Sequence, residues 1–152
     1  MISTFFDKEI FMIDALRMSL NAPAVIGFVM YILVAAILFA LFQFIYSRIT
    51  PHKEFALIRE NNSAAALALG GSLIGFALPA SNIISYSISI LDVIVWVVIA
   101  AVVQLLAFGV TSLVLKGLST RIAKGEMAAA IYSASVAISV GLLNAACMTP
   151  SV

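Results

Sequence analysis

The chain has 152 residues, of which 64% are hydrophobic and only 10% are charged. Soluble domains average about 25% charged residues, so this composition excludes an ordinary soluble domain and is typical of a membrane protein. A net charge of +1 gives no support to nucleic-acid binding, and one cysteine with one histidine excludes an intramolecular disulfide and any multi-cysteine metal site.

The positions of the charged residues divide the chain into apolar runs. Residues 18–47, 61–91, 93–115 and 127–152 carry no charge. Each run can hold the roughly 20 apolar residues that cross the core of a bilayer. We therefore predict an all-α membrane protein in which residues 22–152 form one four-helix transmembrane domain, with spans at about 23–46, 63–80, 92–115 and 127–148.

The first 21 residues mix charged side chains with large apolar ones. Thr4 and Asp7 have the spacing of a capping box. A cleaved signal peptide would have a basic start and a short apolar region, whereas this segment has a start of mixed charge and a long apolar run after it. We predict a short N-terminal helix in the membrane interface that leads into the first span without cleavage. The alternative is a partly ordered tail.

The first span and its following loop have clear boundaries. Pro23 suits a first helical turn, where its missing N–H costs nothing, and Arg48 marks the exit from the membrane. His52, Glu54 and Glu60 are poor evidence for a metal site, so we expect a solvated loop. Within it, residues 54–59 are expected to form a short amphipathic turn on the membrane surface.

The second span is expected to run from Ser63 to about Pro79. Residues 85–90 alternate polar and apolar side chains, which is the period of a strand. Because a lone strand between membrane helices has no partner, we expect an extended connector. Asp92 is the expected N-cap of the third span, and Trp96 lies one turn inside it as an interfacial anchor.

A short basic loop separates the third and fourth spans. Gly117 and Gly125 are expected to break the helices on either side of it, and Pro150 stops any helix after the fourth span. Cys147, near the end of that span, is expected to be a small packed thiol. An intersubunit disulfide is the alternative.

Lysine and arginine residues predict the orientation. Residues 48–62 and 116–125 hold six of the eight, whereas the 85–90 connector and the C-terminus hold none. The positive-inside rule places both basic loops in the cytoplasm and both termini outside. Lys8 and Arg17 argue mildly against this orientation.

An internal repeat appears at an offset of 64 residues. AAAL at residues 64–67 matches AAAI at residues 128–131, and Ile74 matches Ile138. A basic loop and another span precede each copy. The chain is therefore predicted to consist of two tandem helical hairpins related by an axis along the membrane normal.

Small residues form stripes on the second and fourth spans. Gly71 and Gly75 form a GxxxG pair, while Ser133, Ala137 and Gly141 recur every four residues and so share one helix face. Small residues let membrane helices approach closely. These stripes serve either packing within one subunit or self-association into a homo-oligomer.

The intramembrane polar candidates are amides. No ionisable residue lies deep in a predicted span, which argues against a proton relay or an ion-coupled pump. Gln104 lies deepest in the third span, and Asn144 lies in the fourth. Gln104 either makes an interhelical hydrogen bond or lines a polar path.

A family resemblance follows from three stretches. ENNSAAA at residues 60–66 with the glycines behind it, Asp92 with Trp96 and Gln104, and GLLNAACMT at residues 141–149 together resemble the YjfL-type bacterial inner-membrane family, a domain of unknown function (domain of unknown function 350). The resemblance implies four spans, an inner-membrane address, a duplicated hairpin and no established activity. Some relatives appear beside envelope-stress membrane-remodelling proteins, which implies a partner-protein role.

One position departs from that family. The turn before the second span usually reads Gly-Asn, and here Asn61 replaces the glycine. Asparagine tolerates left-handed backbone angles better than most residues, so we expect the turn to survive.

These features favour a non-enzymatic membrane subunit or scaffold, because no catalytic set, metal site or cofactor motif is present. Its expected partners are the lipid bilayer, further copies of the chain, or a cytoplasmic or membrane protein. Six basic residues are expected to make the contact with lipid or partner: Arg48, Lys53, Arg59, Lys116, Arg121 and Lys124. The alternative is an oligomeric channel or transporter for an ion or small solute, with Gln104 or the serines of the fourth span on its path.

Overall fold

A computed structural model describes residues 11–12, 14–16, 18, 20–51 and 53–148. Its helices are α1 (Ala22–Ile49), α2 (Glu54–Arg59), α3 (Ser63–Tyr86), α4 (Ile90–Val114), α5 (Leu118–Ala123) and α6 (Met127–Cys147). Within these ranges α1, α3, α4 and α6 are long and apolar enough to cross a membrane, and no strand is present. The all-α, four-span prediction is confirmed. The proposed capping box, most of the N-terminal interfacial helix and His52 lie outside the described residues.

The chain divides into two compact units, residues 1–34 and residues 35–152. In the first unit, the side chain of Asn21 accepts a hydrogen bond of 2.9 Å from the backbone N–H of Ala24, so Asn21 caps α1. Pro23 occupies the first turn of α1, as predicted.

The centre of the second unit is the contact between α3 and α6. Gly71 lies against Ala134, Gly75 against Ala137, and the Asn82 amide donates a 2.7 Å hydrogen bond to the carbonyl of Ala145. The residue numbers increase together on both helices, so α3 and α6 are parallel. This is the arrangement expected of two tandem hairpins.

The second half of α1 packs through large aromatic side chains instead of small ones. The ring of Phe42 stacks on that of Phe76 with centroids 4.0 Å apart, and Tyr46 meets Phe108 edge-on at 5.3 Å. Offset and edge-on ring pairs add stabilisation beyond the area that they bury. The core therefore combines a close small-residue contact with a wider aromatic one.

Pro79 does not end the second span. The helix continues through it to Tyr86, so the predicted extended connector shrinks to residues 87–89. Proline deprives the carbonyl four residues earlier, that of Gly75, of its helical N–H partner. Gly141 has no side chain, and a Cβ atom added to it would collide with the carbonyl of Gly75. The backbone of Gly141 on α6 therefore packs directly against this carbonyl, at the place where the helical hydrogen bond is missing.

The N-cap of α4 is Ser89 and not Asp92. Ser89 has an extended backbone, and its hydroxyl accepts a 3.2 Å hydrogen bond from the N–H of Asp92. Asp92 is the third residue of the helix, where a carboxylate interacts favourably with the helix dipole.

The basic loop contains a helix that we did not predict. Gly117 adopts a left-handed backbone with φ of 72° and starts α5, whose Leu118 and Ile122 are buried. They pack against Ala65 and Ala129 in one apolar cluster. The loop is therefore a structured element of the core.

The internal repeat is confirmed in backbone detail. Asn61 and Gly125, 64 residues apart, both have left-handed backbones, with φ of 60° and 83°. The next N–H groups, of Asn62 and Glu126, donate to the carbonyls five residues earlier, at 2.9 Å and 3.0 Å. Both are Schellman turns, which end α2 and α5 and lead directly into α3 and α6. The expectation that asparagine preserves this turn is confirmed.

Candidate functional site

The two short helices lie at the same end of the molecule. The amide nitrogen of Asn62, in the turn after α2, donates to the carbonyls of Ile122 and Ala123 at the end of α5, at 3.2 Å and 3.0 Å. The amide oxygen of the same side chain accepts a 2.9 Å hydrogen bond from the N–H of Ala65 and so caps α3. One asparagine therefore links the two halves of the repeat.

A groove of about 440 Å³ separates α2 from α5. Lys53, Leu57 and Glu60 line one side, and Ser119 and Thr120 line the other. The groove combines an apolar floor with charged and hydroxyl groups at its edges. Such a surface suits an extended polypeptide or a headgroup better than an apolar ligand.

The six predicted contact residues differ in their surroundings. Lys53, Arg59, Lys116 and Lys124 are exposed. Arg48 is also exposed, and its guanidinium lies 4.6 Å from the centre of the Phe44 ring.

Arg121 differs from the other five. Its guanidinium forms a two-pronged ion pair with Glu126, with Nε to Oε2 at 2.7 Å and Nη2 to Oε1 as the second contact. This hydrogen-bonded pairing lowers the pKa of the Glu126 carboxyl. Because the pair braces the Schellman turn after α5, Arg121 is a structural residue more than a contact residue.

Glu54 is buried, and the expectation of a solvated loop is wrong for this residue. Its side chain is 2% exposed, and the hydroxyl of Ser47 donates a 3.2 Å hydrogen bond to Oε2. Burial raises the pKa of the carboxyl, while hydrogen bonds from Ser47 and Thr50 act in the opposite direction. The signal was present in the spacing, because Glu54 shares a helical face with Leu57 and Ile58, which pack on the core.

Gln104 sits at the centre of the membrane-spanning region and is 2% exposed. Its amide nitrogen donates a 3.1 Å hydrogen bond to the carbonyl of Ala137, which joins α4 to α6. Within the described part of the chain its amide oxygen has no hydrogen-bond partner. The geometry is that of an interhelical contact inside one subunit.

The predicted packing residues meet in the same region. Gly71, Gly75, Ser133, Ala137 and Gly141 are all buried. A methyl group at Gly75 would overlap the carbonyl of Ala137 and the amide of Gln104, and one at Gly141 would overlap the backbone of Gly75. These glycines allow the backbones of α3 and α6 to touch within one chain.

The second intramembrane amide, Asn144, is half-buried near the end of α6. Its amide nitrogen has no hydrogen-bond partner among the described residues. Asn144 and Gln104 lie on different helices, 40 residues apart in sequence.

Comparisons with known proteins agree with the geometry. Residues 19–148 match the family described as Domain of Unknown Function (DUF350). The chain is 40% identical over 126 residues to a protein named UPF0719 inner membrane protein YjfL, both in Escherichia coli strain K12 and in strain O157:H7. Each match covers 83% of this chain and 96% of the relative.

No solved structure matches the chain. The relatives are named as inner membrane proteins, and this chain has four helices able to cross a membrane. The chain is thus a multi-pass membrane protein that belongs to the DUF350 family.

Proposed function

We propose that this protein is a non-enzymatic inner-membrane subunit that binds a partner protein with an acidic surface through the groove between α2 and α5. The observation that supports this function is the joining of both short helices by Asn62 into one surface with exposed lysines around it. Each basic residue near a membrane surface adds about 1 kcal/mol of attraction to anionic lipid headgroups, and an exposed ion pair with a protein carboxylate contributes about 0.2–1 kcal/mol. Such a surface attracts an acidic partner and holds it beside the bilayer.

The same proposal includes an orientation. The positive-inside rule places α2, α5 and their six basic residues in the cytoplasm, with both termini outside. A cytoplasmic partner then meets the groove directly, without crossing the membrane.

Neutralising three exposed lysines tests the proposal. We expect the Lys53→Gln, Lys116→Gln and Lys124→Gln triple variant to lose about 0.6–3 kcal/mol of attraction, so that recovery of partner protein falls about threefold to a hundredfold. The measurement is cross-linking in cells followed by mass spectrometry of the purified chain.

A charge-conserving variant is the matched control. Lys53→Arg, Lys116→Arg and Lys124→Arg keep all three positive charges on the same exposed positions, so partner recovery should stay near that of the wild type. Equal recovery with the glutamine triple variant would contradict the proposal. If the glutamine triple variant instead loses only its binding to anionic liposomes, the basic end binds lipid and not a protein.

A second candidate function is an oligomeric channel or transporter. Ser135 and Ser139 lie one turn apart on α6 and are exposed, whereas Gln104 is buried inside the subunit. A path lined by these serines would need several copies of the chain. Ion or solute flux into liposomes, reduced in a Ser135→Ala, Ser139→Ala variant, would support this function.

A further inference from the structure

A cavity of about 300 Å³ lies at the other end of the molecule, where α3 and α6 end and α4 begins. Tyr86 is the last residue of α3, Asp92 and Trp96 lie in the first two turns of α4, and Cys147 is the last residue of α6. Sites for small molecules begin at about this volume. The cavity has room for a group of a few heavy atoms.

The electrostatics of this cavity favour a cation. Asp92 is the charged residue among those that line it, and none of them is basic. The C-terminal ends of α3 and α6, which carry partial negative charge, both meet at the cavity, and neither helix has a basic residue in its last turn. The N-terminal end of α4 also meets the cavity, and Asp92 at the third residue of that helix offsets its partial positive charge, so the balance of charge favours a cation.

The two aromatic residues that line the cavity, Tyr86 and Trp96, indicate which kind of cation it would bind. Asp92 and Trp96 are four residues apart on α4, so the carboxylate and the indole share one face of the helix. Trp96 is 45% exposed and Tyr86 is 57% exposed, so both rings can be reached. Aromatic faces beside a carboxylate attract organic ammonium groups, through the ring quadrupole and the opposite charge together.

We propose that this cavity binds an alkylammonium group. The carboxylate of Asp92 neutralises its charge, and Trp96 and Tyr86 contact its methyl or methylene groups. The group can belong to a phospholipid headgroup at the membrane surface or to a small soluble amine. The inference is independent of the partner-binding groove, which lies at the opposite end.

The single tryptophan of the chain makes the test direct, because Trp96 supplies all of its indole fluorescence. The full chain is placed in nanodiscs of phosphatidylglycerol, a lipid without an ammonium group, and titrated with choline. We expect a saturable change in Trp96 fluorescence. The uncharged isostere 3,3-dimethylbutan-1-ol should produce no such change.

Two variants test the assigned residues. Asp92→Asn keeps the shape of the side chain and should weaken choline binding about tenfold or more, whereas Glu60→Gln, which neutralises an exposed carboxylate at the other end, should leave it unchanged. Tyr86→Leu should weaken binding severalfold. The Tyr86→Leu variant serves as the test if the Asp92→Asn variant does not elute as a folded protein in size-exclusion chromatography.

Three results would overturn the proposal: no saturable change with choline, an equal response to the uncharged isostere, or wild-type affinity in folded Asp92→Asn and Tyr86→Leu variants. Nanodiscs that contain phosphatidylethanolamine identify the source of the ligand. Loss of the choline response there shows that a lipid headgroup fills the cavity, and a retained response shows that the cavity takes a soluble amine.

Discussion

At the scale of single residues, the contact between α3 and α6 depends on which glycines face a backbone. Gly71, Gly75 and Gly141 each face atoms of the other helix, whereas Gly70, next to Gly71 in sequence, has open space where a side chain would stand. The sequence showed a GxxxG pair and a small-residue stripe. The sequence did not show that the GxxxG pair and the stripe pack against each other. A spacing of four residues identifies one face of a helix, but it does not identify the helix that packs on that face.

This difference yields a prediction with an internal control. Gly75→Ala and Gly141→Ala should each destabilise the protein by about 1–3 kcal/mol, because a methyl group there forces two backbones apart. Gly70→Ala should cost nothing, since alanine is the better helix former and its methyl group meets no atom. The measurement is resistance to unfolding as dodecyl sulfate is added to a mild detergent. Equal stability of Gly75→Ala and Gly70→Ala would contradict the assigned contact.

At the scale of elements, the turns were easier to foresee than the short helices. The matching alanine runs predicted the repeat, Gly125 was expected to break a helix, and the family resemblance predicted the left-handed turn at Asn61. Helix α5 could not be predicted from the sequence, because six residues carry little helix propensity and α5 is held by the burial of Leu118 and Ile122. Glu54 was misjudged for a related reason: carboxylates are usually solvated, and only the fold decides otherwise.

Glu54 gives α2 a dependence on pH. Its pKa is raised by burial, so the folded protein binds this proton more tightly than the unfolded chain, whose glutamates titrate near about 4.3. Stability from this group is therefore gained as pH falls through the raised pKa and lost as pH rises through it. We expect the wild type to become more stable as pH falls through the raised pKa toward about 4.3, the value in the unfolded chain.

The Glu54→Gln variant should lack this component and be less sensitive to pH over the same range. Thermal unfolding followed by size-exclusion chromatography at several pH values measures both proteins. Glu60→Gln changes an exposed carboxyl six residues later, at the C-cap of α2, and should keep the wild-type profile. A Glu54→Gln profile parallel to that of the wild type would show that this carboxyl is not the source.

At the scale of the whole molecule, the composition was sufficient to predict the class, the number of spans and their order. Uncharged runs separated by short polar segments leave few alternatives once a bilayer is assumed. What composition could not supply is the pairing of helices. Helix pairing is decided by contacts between residues that are distant in sequence, such as the contact of Gly75 with Gly141 and that of Gln104 with Ala137.

The proposed orientation can be measured with the one cysteine that the chain has. Cys147 is exposed at the end of α6, so a membrane-impermeant maleimide should label it in intact spheroplasts. A Cys147→Ser, Lys124→Cys variant moves the thiol to the basic end and should be labelled only after the membrane is permeabilised. Labelling of the Lys124→Cys thiol and protection of Cys147 in intact spheroplasts would show that the chain has the opposite orientation.

The parallel pairing of α3 with α6 also has a consequence for biosynthesis. The end of α6 leaves the ribosome roughly sixty residues after the end of α3, a delay of several seconds at ordinary rates of synthesis. Until then the Gly71 and Gly75 face of α3 lacks the helix against which it packs in the finished protein. During that interval the α6 of a neighbouring nascent chain presents the same surface as the chain's own, so we expect crowded synthesis to favour exchange of the last helix between chains.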